Sequence, residues 1–205
     1  TILTGIDMRK VQVDPVATTE VQAFGNLSVS ATTAPPPTNP TSFKDIAAAD
    51  AYSTVSSVFD SLGKSHDVVV SFFKTGINNW TVQAYVNGSE TGGTADQPVL
   101  VGQANLAFDS TGRMTPEAAA AAVVNANVAW GNGAAASAIA FDFGSFSQFA
   151  GASLVTNVTQ NGQGSGDISG YKVGADGTLY ALMGGGRQAT VGTIATAVFQ
   201  NNDGL

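Results

Sequence analysis

The residues of this chain best suited to chemistry stand side by side: Ser65, His66 and Asp67 in "LGKSHDVVVSFFK", with His66 the only histidine among 205 residues. Serine, histidine and aspartate are the parts of a relayed nucleophile, which needs the imidazole within hydrogen-bond reach of both partners. Val68 to Phe73 is a β-branched and aromatic run, the composition of a strand, and strand side chains alternate between faces. Ser65 and Asp67 then point one way and His66 the other, so these three neighbours cannot form the relay. A carboxylate distant in sequence could still serve His66, but no neighbouring residue marks a catalytic environment. The expectation is a structural histidine at the start of a strand.

Other chemistries meet similar obstacles. One histidine and isolated carboxylates do not reach the ligand count of a metal site, and the lack of cysteine removes disulfides and thiolate nucleophiles. "FDSLGK" at 59–64 recurs as "FDSTGR" at 108–113. Calcium loops also combine Asp and Gly but need several oxygens at alternating positions. Each echo offers one carboxylate, so both read as turns, with Asp in first place and Gly left-handed. Gly162, Gly164 and Gly166 in "NGQGSGDISG" loosely have the spacing of a nucleotide fingerprint. Strand-like sequence from Ile168 to Val173 follows where a helix N-terminus would have to meet the phosphates. A glycosidase's two carboxylates lie far apart in sequence, and fifteen acids offer such pairs by chance. No catalytic, cofactor-binding or metal-binding residue is assigned, and no cofactor is expected.

Composition sets the frame for these residues. A chain of this length buries roughly 70% of its unfolded surface. Charged residues are only 11% against 43% hydrophobic, a mix suited to short strands and many turns and unlike that of a disordered chain. The net charge of −7 and eight scattered basic residues argue against nucleic acid as a partner. No apolar stretch approaches the length of a transmembrane helix. No signal-peptide pattern opens the sequence, so export is expected by another route, or the chain is trimmed. The absence of cysteine fits a protein that lives outside a cell.

The elements follow from periodicity. "TILTGIDMRKVQVDPVATTEVQAFGNLSVS" alternates around Val11, Val13, Val21 and Ala23, giving strands broken at Asp14-Pro15. "ATTAPPPTNPTSFK", with Pro35, Pro36, Pro37, Asn39 and Pro40, predicts a stiff loop over a surface. Short helices are expected near 45–52 and 115–122, the second with Thr115 as cap, Pro116 in first place and Glu117 in the first turn. Between them a β-meander is predicted: Tyr52 to Phe59, a turn at Asp60 to Gly63, Ser65 to Lys74, and Trp80 to Val86. Trp80, Val82, Ala84 and Val86 share its core face. "VVNANVAW" and "SAIAFDF" read as a strand pair around "GNGAAA", which places Trp80 and Trp130 both on strands. The glycine-dense last third reads as further sheet with a turn at Gly184-Gly185-Gly186.

Taken together, "VFDSLGKSHDVVVSFFKTGINNWTVQAYV", "WGNGAAASAIAFDFGSFSQFA" and "YKVGADGTLYALMGGGRQATVGTIATAVFQNNDGL" resemble the bacterial flagellar hook protein family, as does "VDPVATTEV". The last segment is the most specific. Asp176-Gly177, the glycine turn, Gly192, Ile194, Ala195, Phe199 and Asn202-Asp203-Gly204-Leu205 stand in the order found where the family's inner domain resumes after an outer-domain insertion. Gly184-Gly185-Gly186 in place of an Asn-Gly turn, Thr193 and Thr196 depart from the pattern. The family's long heptad-bearing terminal helices are missing, so the resemblance implies the trimmed middle of a longer protein.

The resemblance implies an all-β fold of two antiparallel β-sheet domains, barrel- or sandwich-like. Residues 1–18 plus 163–205 form a discontinuous, partial inner domain, and 19–162 an inserted outer domain. It further implies a structural subunit of the hook, the curved extracellular tube that transmits torque from rod to filament as a universal joint, and no enzyme. Implied partners are other copies in a helical tube and, for the full-length form, the hook cap, rod and hook-filament junction proteins. No nucleic acid and no membrane are implied. Export would pass through the flagellar secretion channel, and this trimmed chain would be monomeric in dilute solution. Competing readings are an adhesin or carbohydrate-binding module, which needs exposed aromatics around one cleft, and a glycosidase, which needs two facing carboxylates.

Overall fold

A computed structural model of the chain describes residues 14–165, 168–183 and 188–194. The strand expected around Val11 and Val13, the turn at Gly184-Gly185-Gly186, Gly166 and the closing residues from Ala195 onward lie outside the described residues.

The elements are β1 (Glu20–Ser28), α1 (Phe43–Ala49), β2 (Tyr52–Phe59), β3 (Ser65–Gly76), β4 (Asn79–Asn87), a 3-10 turn (Gly88–Thr91), β5 (Pro98–Ala107), α2 (Pro116–Ala121), β6 (Val123–Val128), β7 (Ser137–Phe149), β8 (Leu154–Gln160), β9 (Ile168–Val173), β10 (Thr178–Met183) and β11 (Gln188–Thr193). The protein is therefore all-β with two short helices among its described residues. Both helices start where their caps dictate. The Ser42 hydroxyl accepts from Asp45 N–H in a capping box, and the Thr115 hydroxyl accepts from Ala118 N–H ahead of Pro116.

The meander forms as its alternation requires: β2, β3, β4 and β5 make an antiparallel sheet in sequence order. Trp80, Val82, Ala84 and Val86 are buried on its inner face. A second sheet has the order β6-β7-β1-β8, in which β6 and β7 are the antiparallel pair expected around the 131–136 turn. Trp130 lies two residues past β6 rather than on a strand. This second sheet is not wholly antiparallel, because β1 runs parallel to β7. Parallel neighbours need a long crossover, and the whole meander between them supplies it.

The two sheets pack face to face. Phe72, Trp80, Val82 and Leu106 of one meet Leu27, Val124, Phe141 and Phe143 of the other, each fully buried large side chain contributing roughly 1.5–3 kcal/mol. Phe72 sits 5.4 Å from Phe143 and 5.3 Å from Phe146 between ring centroids. At one seam β5 approaches β6 so closely that a Cβ on Gly102 would lie 2.8 Å from the Asn125 carbonyl oxygen. At the other seam Val155 N–H donates to the Tyr52 hydroxyl at 3.2 Å. The outer face of the meander is covered by α1, whose Ile46 packs on Phe73 and Tyr85. Lys74 Nζ tethers the proline loop by donating to the carbonyls of Val29 and Ala31.

Both four-stranded sheets belong to one compact unit, Pro15–Gly164. Its ends meet: Val16 and Gln163 exchange backbone hydrogen bonds of 2.9 and 2.7 Å, and Asn161 Oδ1 accepts from the amides of Thr19 and Glu20. The second unit contains an antiparallel sheet of order β11-β10-β9, in which Leu179 and Ala181 are buried.

Candidate functional site

His66 is where alternation puts it, buried while Ser65 and Asp67 are exposed. The β2–β3 register sets it opposite Val58, and the turn that joins these strands carries Asp60. In that turn Asp60 Oδ1 accepts from the amides of Leu62 and Lys64 at 2.8 and 3.0 Å, and Gly63 takes a φ of 81°. Asp60 Oδ2 is thereby aimed inward, 2.8 Å from His66 Nε2, and also accepts from Asn132 Nδ2 at 2.6 Å. The other ring nitrogen, Nδ1, lies 2.6 Å from Glu90 Oε2 in the 3-10 turn, and Lys64 Nζ donates to the same oxygen at 2.8 Å. Trp130 covers the ring face and donates from Nε1 to Ser137 Oγ at 2.8 Å.

Burial raises the Asp60 carboxyl, but hydrogen bonds from His66, Asn132 and two backbone amides outweigh it and hold it at about 2. Glu90 is lowered foremost by the hydrogen bond from Lys64, with His66 adding to it. Both ring nitrogens of His66 are thus engaged by carboxylates, and neither is left to serve Ser65 as a base. Ser57 Oγ donates to Asp67 at 2.7 Å, on the exposed side. Ser65, His66 and Asp67 are therefore not brought together. The imidazole fills the space a glycosidase needs between its carboxylates, and the cluster ties the 60–64 turn, the 3-10 turn and the loop after β6 to one another.

The echoed turn isolates the cause. Asp109 Oδ1 accepts from the amides of Thr111 and Arg113 at 2.8 and 3.1 Å, and Gly112 has a φ of 75°, the same turn without a histidine. Sequence reasoning missed Asp60 and Glu90 as partners of His66. An inward histidine in a hairpin closed by an aspartate was the available signal for Asp60; Glu90 had none. Among the described residues no group of three His, Asp or Glu could hold a metal ion.

The second candidate is a cavity of about 620 Å³ between the proline loop, at Pro36, Pro37 and Pro40, and the outer face of β4 and β5, at Tyr85, Pro98 and Leu100. No charged side chain lines it. Burial, with the charge of Asp50 beside it, pushes the Tyr85 hydroxyl up to about 12, so it offers no proton near neutrality. Trp80 and Trp130 are both core residues, so neither contributes an exposed ring to a sugar-binding cleft.

Residues 26–163 match the family described as the flagellar basal body protein FlaE D2 domain. The chain belongs to this family. The matched span takes in nearly all of the two-sheet unit. The flagellar hook protein FlgE of Escherichia coli (strain K12) is 33% identical over 160 residues, which cover 77% of this chain and 38% of that protein. The flagellar hook protein FlgE of Salmonella typhimurium is 30% identical over 180 residues, covering 87% and 42%. The crystal structure of Helicobacter pylori flagellar hook protein FlgE2 aligns with 75% of this chain and 34% of its own at 16% identity and a TM-score of 0.48. The chain spans about two fifths of the length of these hook proteins from Escherichia coli and Salmonella.

Proposed function

We propose that this chain is the D2-bearing part of a flagellar hook subunit, and that its role is mechanical rather than catalytic. The observation that carries the reading is the D2 match over 26–163, joined to hook proteins at 30–33% identity. The His66 cluster supports it, since the chain's one histidine is spent inside the fold. In this reading the subunit packs with further copies into an extracellular helical tube, is exported through the flagellar secretion channel, and in full-length form meets the cap, rod and hook-filament junction proteins. Residues 19–162 are the inserted outer domain, and 1–18 with 163–205 belong to the inner one. The pairing of Val16 with Gln163 supports an insertion whose ends lie together. Subunits of a bent rotating tube must change spacing on every turn, and small polar contacts exchange at lower cost than large apolar ones. Taken alone, the chain is monomeric in dilute solution. Electron microscopy of cells lacking the full-length gene should show flagellar rods without hooks, restored by the gene; hooks of normal form in the deletion would defeat the reading.

A further inference from the structure

Among the stretches of the sequence that carry no charged residue are 21–43, 51–59 and 143–166. The fold brings the strands they contain, β1, β2, the end of β7 and β8, next to one another around the seam between β2 and β8. Leu154 of β8 pairs with Asn26 of β1, Ser28 of β1 with Phe149 of β7, and β8 meets β2 through Val155 and Tyr52. Five large apolar side chains are exposed along these stretches, Val29, Val55, Phe149, Leu154 and Val158, at 37–56% of their full surface. The charged groups that border it are few and mostly engaged: Asp67 accepts from Ser57, Lys74 Nζ donates to the carbonyls of Val29 and Ala31, and Glu20 opens β1. A further feature sets β8 apart. It is an edge strand of its sheet, and natural edges are usually blunted by lysine or proline, yet "LVTNVTQ" contains neither.

We infer that this charge-poor side, β2 and β8 with the adjoining ends of β1 and β7, is a surface on which copies of this chain lie against one another. The inference rests on the hook reading and adds to it the face that makes contact. Copies of a chain with net charge −7 repel, so they approach at least cost where neither surface is charged, and the cores of protein interfaces are depleted of charge. Its size fits a repeated contact. Strands of eight and seven residues present a strip roughly 25 Å long and about 10 Å wide, well short of the ~800 Å² per partner of a stable complex. A strip that small holds only where many copies engage together.

Cysteine is absent from these 205 residues, which provides the test once any cysteine elsewhere in the full-length protein is replaced by serine. Leu154→Cys, Val55→Cys and, as a control on the exposed side of α1, Ala47→Cys are placed one at a time in the full-length protein, and a maleimide reagent is applied to isolated subunits and to purified hooks. All three thiols should label in the subunit, and in hooks those at 154 and 55 should lose labelling while that at 47 keeps it. Thr156→Cys, exposed on the same strand, replaces Leu154→Cys if the latter does not fold. Failure of the β8 and β2 variants to assemble, when Ala47→Cys assembles, also supports the inference. Equal labelling of subunits and hooks at 154 and 55 overturns it and leaves the hook reading standing, as does equal protection at all three positions. Absence of the native full-length chain from hooks defeats the hook reading itself.

Discussion

The imidazole of His66 lies flat on the indole of Trp130, with ring centroids 3.8 Å apart and planes 15° from parallel. The stack covers one face of a ring whose two nitrogens are held by carboxylates. Such a stack of aromatic rings adds about 0.5–1.5 kcal/mol beyond the area it buries. Replacing His66 with Leu removes the stack and leaves the carboxylates of Asp60 and Glu90 facing an apolar side chain. The loss should be on the order of 3 kcal/mol, since one partner of a buried charged network is removed. The melting temperature should fall by several degrees; an unchanged value would show that the cluster contributes nothing.

Acid should unfasten the same cluster. Asp60 is held at about 2 against its ordinary 3.8, and Glu90 also lies below its usual value. A carboxylate depressed in the folded state contributes stability that is complete above its unfolded value and lost as pH falls through the folded one. For Asp60 the contribution is on the order of 2 kcal/mol, disappearing between about pH 4 and pH 2. The exposed Asp45 and Asp109 shift in the same direction. Melting temperatures should hold steady from neutrality down to about pH 4 and drop steeply below it, and Asp60→Asn should flatten the drop. A drop of equal steepness in Asp60→Asn would contradict this assignment.

Asn132 is neutral by necessity. Its Nδ2 donates to Asp60 Oδ2 at 2.6 Å, and its Oδ1 accepts from Ala134 N–H. Asn132→Asp keeps the acceptor but sets a second carboxylate against Asp60, whereas Asn132→Ala removes donor and acceptor without adding a charge. Denaturant titration should therefore rank native above Ala and Ala above Asp, with the Ala variant losing about 1–3 kcal/mol. An Asp variant as stable as the native chain would mean that Asp60 is not ionised there.

The local half of this fold was legible because it depends on period and turn chemistry. Val58, His66, Trp80 and Val82 announce their faces by alternation, and Thr115-Pro116-Glu117 announces a helix start. Alternation reports which way a side chain points but not which strand lies beside it. The parallel pairing of β1 with β7 joins Glu20 to Ala140 across the entire meander, and no local signal encodes such a partner. The same limit hid the site. Asp60 and Asp109 occupy matching turns in matching hexapeptides, but only the first is followed six residues on by a histidine, and the second carboxylate on that ring, Glu90, is brought by tertiary placement alone. Trp130 was misplaced because "VVNANVAW" alternates to its end, while the strand stops at Val128.

The seam between β5 and β6 depends on a missing side chain. A Cβ at Gly102 would lie 2.8 Å from both the Asn125 carbonyl oxygen and Val124 Cγ1, and 3.1 Å from Ala126 Cα. Two of those three atoms are backbone and cannot swing aside. Gly102→Val should part the strands and cost about 1–3 kcal/mol, with Gly102→Ala milder. Faster hydrogen exchange at the β6 amides in the Val variant is the local readout; exchange unchanged throughout β6 would show that the seam tolerates the insertion.

The closure of the two-sheet unit predicts where it can be cut. Thr18, buried at 1% exposure, donates its amide to the Phe59 carbonyl at 2.9 Å, while its hydroxyl accepts from Phe59 N–H at 2.9 Å and contacts Gln160 Oε1 at 3.1 Å. Gly162 packs against it so closely that a Cβ there would stand 2.0 Å from Thr18 Oγ1. A fragment of residues 15–164 keeps these bonds and the exchange between Val16 and Gln163. A fragment of residues 19–162 loses Thr18 and that exchange, and leaves the Phe59 amide and carbonyl without partners at the end of β2. Both fragments contain the whole apolar core, so both should unfold cooperatively. Each unsatisfied group costs about 1–3 kcal/mol where it is shielded from water, so the shorter fragment should melt several degrees below the longer one. The longer should melt close to the whole chain, since the core of the two-sheet unit lies within it. Equal melting of the two fragments would place the functional boundary inside Thr18 and Gly162, and a non-cooperative transition in 15–164 would mean that the unit does not fold by itself.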